Sequence, residues 1–155
     1  LPQVDSFILG FTEQCNLRCT YCCYSGIYVN KRVHSITSMD SSGIDRILTF
    51  IDSFTSKRPI RLFIYGGEPL LNYDMVQYAV EKARKRWNND VSFTVSTNGT
   101  TLNRERIDWL VANNVILAVL QPVTVTLSSF QSSNLNPVYS SIDSLYPTII
   151  LLPSR

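Results

Sequence analysis

Hydrophobic positions recur with two different periods along this chain. Val91, Phe93 and Val95 alternate with polar neighbours, which predicts a half-buried strand over Val91–Thr97. Shorter apolar runs at Asp5–Thr12 (Phe7, Ile8, Leu9, Phe11), Ile60–Tyr65 and Val115–Leu120 also read as strands. Between them the spacing becomes helical. Ile44, Ile47, Leu48, Ile51 and Phe54 share one face of a helix from Ser42, with Ser42 and Asp45 set as a capping box. Met75, Val76, Ala79, Val80, Ala83 and Trp87 mark a second helix capped at Asn72, and Met75 and Trp87 read as core. Ile107, Leu110 and Val111 face inward on a third, capped at Asn103.

Strand and helix in alternation predict an α/β fold with right-handed crossovers and a parallel sheet. Ligands of such sheets sit at the carboxyl ends of the strands. Each of the first three strands here runs directly into a distinctive loop: the cysteines after Thr12, Gly66-Gly67 after Tyr65, and Asn98-Gly99 after Thr97.

Two stretches break the pattern. Residues 24–40 have no clean period and read as a loop wrapped near the cysteines. From Gln121 to Arg155 only Asp143 and Arg155 are charged, and no helical period survives. The expected organisation is a core domain over residues 1–120 and an atypical low-charge tail over 121–155, of the kind a frameshift or truncation produces. Four parallel strands leave an open edge, which a β-prone tail would cover or use to aggregate. The first residue is Leu1 rather than Met, so the reading expects a missing N-terminus.

Composition adds bounds. The chain has 155 residues, 45% apolar and 17% charged, which suits one globular domain with a sizeable core. A net charge of +2 gives no argument for nucleic acid or a membrane surface, and the basic run Lys82–Arg86 falls on a helix face expected to be solvated. No run reaches the ~18 apolar residues of a membrane span, and no signal-peptide pattern opens the chain.

The candidate chemistry lies in Cys15-Asn16-Leu17-Arg18-Cys19-Thr20-Tyr21-Cys22. Three thiols at these spacings fit an iron–sulfur cluster: a four-iron cluster takes four thiolates when protein holds it fully, so three leave one iron open. Competing readings are a zinc loop completed by Cys23 or His34, and three idle buried thiols. All four cysteines lie within nine residues, which gives disulfides no long loop to staple, and thiols kept for metal imply a reducing cytosol. Cys23 stays outside the cluster because adjacent Cys22 strains joint ligation of one metal. Tyr24, Tyr28 and His34 receive no role.

With Gly66-Gly67-Glu68-Pro69 and Thr97-Asn98-Gly99-Thr100 following in order, residues 5–119 resemble the radical S-adenosylmethionine (radical SAM) enzymes. Within them the chain is similar to the peptide- and protein-modifying branch, the anaerobic sulfatase-maturating enzymes and SPASM-type peptide maturases. The resemblance implies a partial parallel (β/α) barrel, cut to about four strand–helix units. It implies a 4Fe-4S cluster on Cys15, Cys19 and Cys22, whose open iron is chelated by S-adenosyl-L-methionine. One electron would cleave the sulfonium bond, and the resulting deoxyadenosyl radical would take a hydrogen atom from a peptide or protein substrate. A flavodoxin or ferredoxin would supply the electron.

The same resemblance gives Gly66 and Gly67 carbonyls that accept from the cofactor's ammonium, Glu68 as a ligand-orienting carboxylate, and Tyr21 beside adenine or cluster, while Ser96, Thr97 and Asn98 end the third strand with hydroxyl and amide groups positioned for ribose or carboxylate contacts. Read from the residues alone, Gly-Gly followed by Pro is a turn, Asn98-Gly99 is a turn before a helix, and an aromatic in a tight loop is packing. A non-catalytic metal-binding module and an inactive gene fragment stand as alternatives to the enzyme.

Overall fold

The computed structural model describes residues 4–26, 28–29, 33–54 and 58–120. Four strands, β1 (Ser6–Thr12), β2 (Ile60–Gly66), β3 (Val91–Thr97) and β4 (Val115–Val119), alternate with three helices, α1 (Ser41–Phe54), α2 (Tyr73–Trp87) and α3 (Arg104–Ala112). The tail assigned to residues 121–155 lies outside the described residues.

The strands form one parallel sheet in the order β1-β2-β3-β4. Chain order equals spatial order, so the sheet winds in one direction as a barrel wall does and has no switch point. The described residues form the expected α/β partial barrel, with four strands and the three helices between them.

Burial is one-sided. Leu9 and Phe11, Leu62 and Ile64, Phe93 and Val95, and Leu117 and Val119 occupy alternate positions on the four strands and are buried against Ile44, Leu48 and Ile51 of α1, Val76, Val80 and Trp87 of α2, and Leu110 of α3. Each large aliphatic side chain so buried contributes ~1.5–3 kcal/mol. On the alternate face Ile8 is 75% exposed, and Phe63 and Tyr65 remain open to solvent. Helices thus cover one face and leave the other open.

Helix starts differ from the sequence reading in two places. α1 is capped by Asp40 rather than by a Ser42–Asp45 box: Asp40 Oδ1 accepts from the Gly43 N–H at 2.7 Å and also from the Ser42 hydroxyl. Asn72 stands at the start of α2 but makes no side-chain cap; its amide donates to the Met39 carbonyl at 2.8 Å. A one-turn 3-10 helix, Pro69–Asn72, precedes α2 and is capped by Glu68. Asn103 caps α3 as expected, accepting from the Arg106 N–H. Two apolar residues expected inward are exposed, because each lies at the margin of its helix's buried stripe: Val111, and Phe54, which meets Phe7 edge-on at 6.4 Å.

The stretch after the cysteines returns along the end of β1. Glu13 N–H donates to the Thr37 carbonyl and Met39 N–H to the Phe11 carbonyl, both at 2.8 Å. Thr12, buried, bonds to Ser38 and Thr37 through its hydroxyl. This covers the upper end of the β1 edge, which four strands alone would leave open.

Candidate functional site

The three strand-end loops meet through backbone. Gly67 N–H donates to the Thr12 carbonyl and Glu68 N–H to the Gln14 carbonyl, both at 2.7 Å, so the β2 loop lies against the chain entering the cysteines. Both glycines are dictated by this approach. A Cβ on Gly66, at φ +148°, would lie 2.3 Å from the Thr12 oxygen, and one on Gly67 only 2.0 Å from the Gln14 oxygen. The close neighbour is the cysteine loop's own backbone.

Glu68 ties in the third loop from beneath. Its carboxylate has no exposed surface. Oε1 accepts from the Leu70 N–H at 3.0 Å and the Thr97 hydroxyl at 2.7 Å, while Oε2 accepts from the Asn98 N–H at 2.6 Å. Buried carboxylates are tolerated when donors surround them. Glu68 therefore acts on the site from the interior, by fixing where the β2 and β3 loops end.

A second tie crosses the top. Asn98 Nδ2 donates to Asn16 Oδ1 at 3.0 Å and lies 3.8 Å from Cys15 Sγ. Asn16 Nδ2 donates to the Thr100 hydroxyl at 2.7 Å, and that hydroxyl donates to Asn98 Oδ1 at 2.6 Å. Asn16 and Thr100 stand inside the sequence motifs without a role of their own; nothing local to an Asn between two cysteines signals a partner 84 residues away.

Cys15, Cys19 and Cys22 are half-buried at this end of the sheet, and Cys23 is exposed. Backbone donors already point at two of the sulfurs: Leu17 N–H reaches Cys15 Sγ and Tyr24 N–H reaches Cys22 Sγ, each at 3.4 Å. Such N–H···S contacts favour sulfur that carries negative charge. Among the described residues no three His, Cys, Asp or Glu side chains converge on a single metal ion. Three half-buried thiols, two of them already facing backbone N–H donors, supply the donor chemistry that a four-iron cluster takes from a protein, one thiolate to each of three irons.

Tyr21 is 59% exposed, with its hydroxyl turned to the cysteines. Loss of solvent around that hydroxyl, the hydrogen bond to Cys19 and the thiolate charges push its phenol up to about 12. Tyr65, at the end of β2, is also raised, first by burial and then by the charge of Cys23, Tyr24 and Cys22. Ser96 sits half-buried on β3, on the sheet face away from the helices. His34 lies in the returning loop with Nδ1 3.1 Å from the Glu13 carbonyl. A cavity of about 640 Å³ opens between the start of α1 and the ends of β1 and β2, lined by Thr12, Tyr24, Met39, Arg46, Tyr65 and Gly67 among others but by none of Cys15, Cys19, Cys22 and Asn98. That volume is of the size small-molecule sites have.

A wound parallel sheet with a cysteine triad, a glycine pair and a Thr-Asn-Gly turn at one end places this chain among α/β folds that carry their candidate chemistry at the strands' carboxyl ends. The chain belongs to the radical SAM superfamily, whose family model matches residues 9–134. That family uses a 4Fe-4S cluster and S-adenosylmethionine. The chain is 30% identical over 123 residues to a cysteine-type anaerobic sulfatase-maturating enzyme of Clostridium novyi, covering 77% of this chain and 32% of that protein. It is 32% identical over 117 residues to a GTP 3',8-cyclase of Stenotrophomonas maltophilia, covering 73% of this chain and 33% of that protein. Among solved structures it resembles native anSMEcpe with bound AdoMet, with a TM-score of 0.61 at 24% identity over 74% of this chain and 32% of that one. The chain spans about a third of the length of these relatives.

Proposed function

We propose that this chain forms the first part of the catalytic core of a radical SAM enzyme that modifies a peptide or protein after translation. The observation that carries the reading is the convergence of the three motif loops at one sheet end, bonded to one another through Gly67, Glu68 and Asn98. The branch is supported by the 30% identity to a sulfatase-maturating enzyme, and by the fold shared with anSMEcpe, of which one solved form carries AdoMet and a peptide.

In this reading Cys15, Cys19 and Cys22 hold the 4Fe-4S cluster, and Cys23 does not. When bound, the cluster supplies the electron that breaks the sulfonium bond of S-adenosylmethionine and so starts hydrogen abstraction from the substrate. The chain's residues bind and orient. Gly66 and Gly67 turn backbone toward the cofactor's ammonium, Ser96 and Tyr21 contact its nucleoside end, and Glu68 and Asn98 hold the loops in register. A flavodoxin or ferredoxin is the reductant, the compartment is the cytoplasm, and neither nucleic acid nor membrane takes part; no helix among the described residues is long and apolar enough to cross a membrane. Residues 1–120 constitute the partial core, and 121–155 a tail of different character.

The test is anaerobic reconstitution of the chain with iron and sulfide. Expected are a four-iron cluster with a reduced-state paramagnetic signal, and deoxyadenosine formed from S-adenosylmethionine under reductant. Zinc bound in preference to iron would overturn the proposal in favour of a non-catalytic metal-binding module. A second reading, radical chemistry on a small molecule, draws on the 32% identity to a GTP 3',8-cyclase. Deoxyadenosine formation stimulated by peptides supports the first reading; stimulation by guanosine nucleotides alone supports the second.

A further inference from the structure

The three polar side chains across the top of the site form a closed ring. Asn98 donates to Asn16, Asn16 donates to Thr100, and Thr100 donates back to Asn98. The direction of the ring is fixed by a fourth bond. The Thr100 backbone N–H, which can only donate, reaches Asn98 Oδ1 at 3.0 Å, so the Asn98 oxygen must face Thr100 and its NH2 must face the cysteine loop. The Asn98 backbone is held independently, by its N–H on buried Glu68. A carboxamide NH2 has two hydrogens. One goes to Asn16 Oδ1 at 3.0 Å, and the second has Cys15 Sγ at 3.8 Å, within reach of a donor to sulfur.

We infer that Asn98, oriented by this ring, donates a hydrogen bond to the Cys15 sulfur and thereby raises the reduction potential of the cluster that sulfur holds. The inference rests on the proposed function and deepens it, by naming what sets the redox poise of that site. Reduction adds an electron that thiolate ligands share, and a donor on a ligand sulfur stabilises the more negative state. Cys15 differs from Cys22 in this respect. Each sulfur accepts from the backbone N–H two residues on, but among the described residues Cys15 alone of the two also faces a side-chain donor, delivered from a loop 83 residues distant. The contribution to potential therefore depends on the β3 loop staying in register with the cysteine loop. Asn98 is a positioning and tuning residue here, not a cluster ligand.

The test uses the reconstituted 155-residue chain without S-adenosylmethionine or substrate, so that cofactor contacts do not enter. The cluster's midpoint potential is read from a redox titration followed by the paramagnetic signal of the reduced state, for wild type, Asn98→Ala and Thr100→Val, each with iron and sulfide content checked. The expected result is a potential shifted to more negative values in Asn98→Ala, and a smaller shift of the same sign in Thr100→Val, where the ring opens while the amide remains. An unchanged potential in an Asn98→Ala variant carrying a full cluster overturns the inference. If that variant assembles no cluster, Thr100→Val decides, and an unchanged potential there overturns it. A wild-type chain that takes up no four-iron cluster removes the proposed function and this inference together, which separates the two failures.

Discussion

The Thr97 hydroxyl donates to Glu68 Oε1 at 2.7 Å, a buried bond between the end of β3 and the loop leaving β2. It is one of three donors on a carboxylate with no exposed surface, and the only covalent path between the two residues runs through α2 and β3. Glu68→Gln replaces one acceptor oxygen with an NH2 that must face a donor. Leaving a buried group so mismatched costs ~1–3 kcal/mol, more where a charged acceptor is lost. Urea unfolding of Glu68→Gln is expected to show a loss of ~2–4 kcal/mol, and Thr97→Val ~1–2 kcal/mol, with the double variant losing less than the sum. Additive losses would show that the two side chains do not act on each other.

Gly67 and Gly10 give a controlled pair. A Cβ at Gly67 would sit 2.0 Å from the Gln14 oxygen, whereas a Cβ at Gly10 meets nothing within 4 Å. Gly67→Ala must push the β2 loop off the cysteine loop, and overpacking of this kind costs ~1–3 kcal/mol or more. Gly10→Ala is expected to stay within ~0.5 kcal/mol of wild type. Thermal melting distinguishes the two, and equal effects would mean that the loops are not in contact.

The cysteines separate by substitution. Cys15→Ala, Cys19→Ala and Cys22→Ala are each expected to abolish four-iron cluster assembly, because the loop holds no spare thiolate at the right spacing. Cys23→Ala is expected to keep the iron and sulfide stoichiometry of wild type, since its thiol is exposed beside Cys22. Loss of iron in Cys23→Ala would place that residue among the ligands.

Asp52 predicts an acid limb of stability. Partial burial pushes its carboxyl up, but bonds from Trp87 Nε1 at 2.5 Å and from Arg86, with the charges of Arg86 and Arg58, outweigh it and hold the carboxyl below the usual range. A carboxyl depressed on folding contributes stability above its unfolded pKa, about 3.9, and loses that contribution as pH falls through the lower folded value. Melting temperature followed from pH 6 downward is expected to fall less steeply below about pH 4 in Asp52→Asn than in wild type. Parallel curves would show that Asp52 has no part in the acid response.

The sequence by itself determined the elements and their order. β3 was legible to the residue, because alternation over Val91–Thr97 is a local consequence of one-sided burial. The face of α2 was legible for the same reason, with Val76, Ala79, Val80, Ala83 and Trp87 all buried. The positions of the cysteine, glycine and Thr-Asn-Gly loops at strand ends followed from the parallel alternation alone. Only the tertiary structure decided what individual polar groups do there. Ser42 had the right local spacing for a cap, yet Asp40 takes the N–H; Asn72 had the same, yet its amide reaches Met39. Glu68 reads in sequence as a carboxylate for a ligand, and folded it is the buried acceptor of the third strand's loop. Asn16 carries no signal until Asn98 and Thr100 are brought to it. Periodicity records which side of an element is dry, whereas a hydrogen bond is spent on whichever donor the packing of distant loops brings within 3 Å.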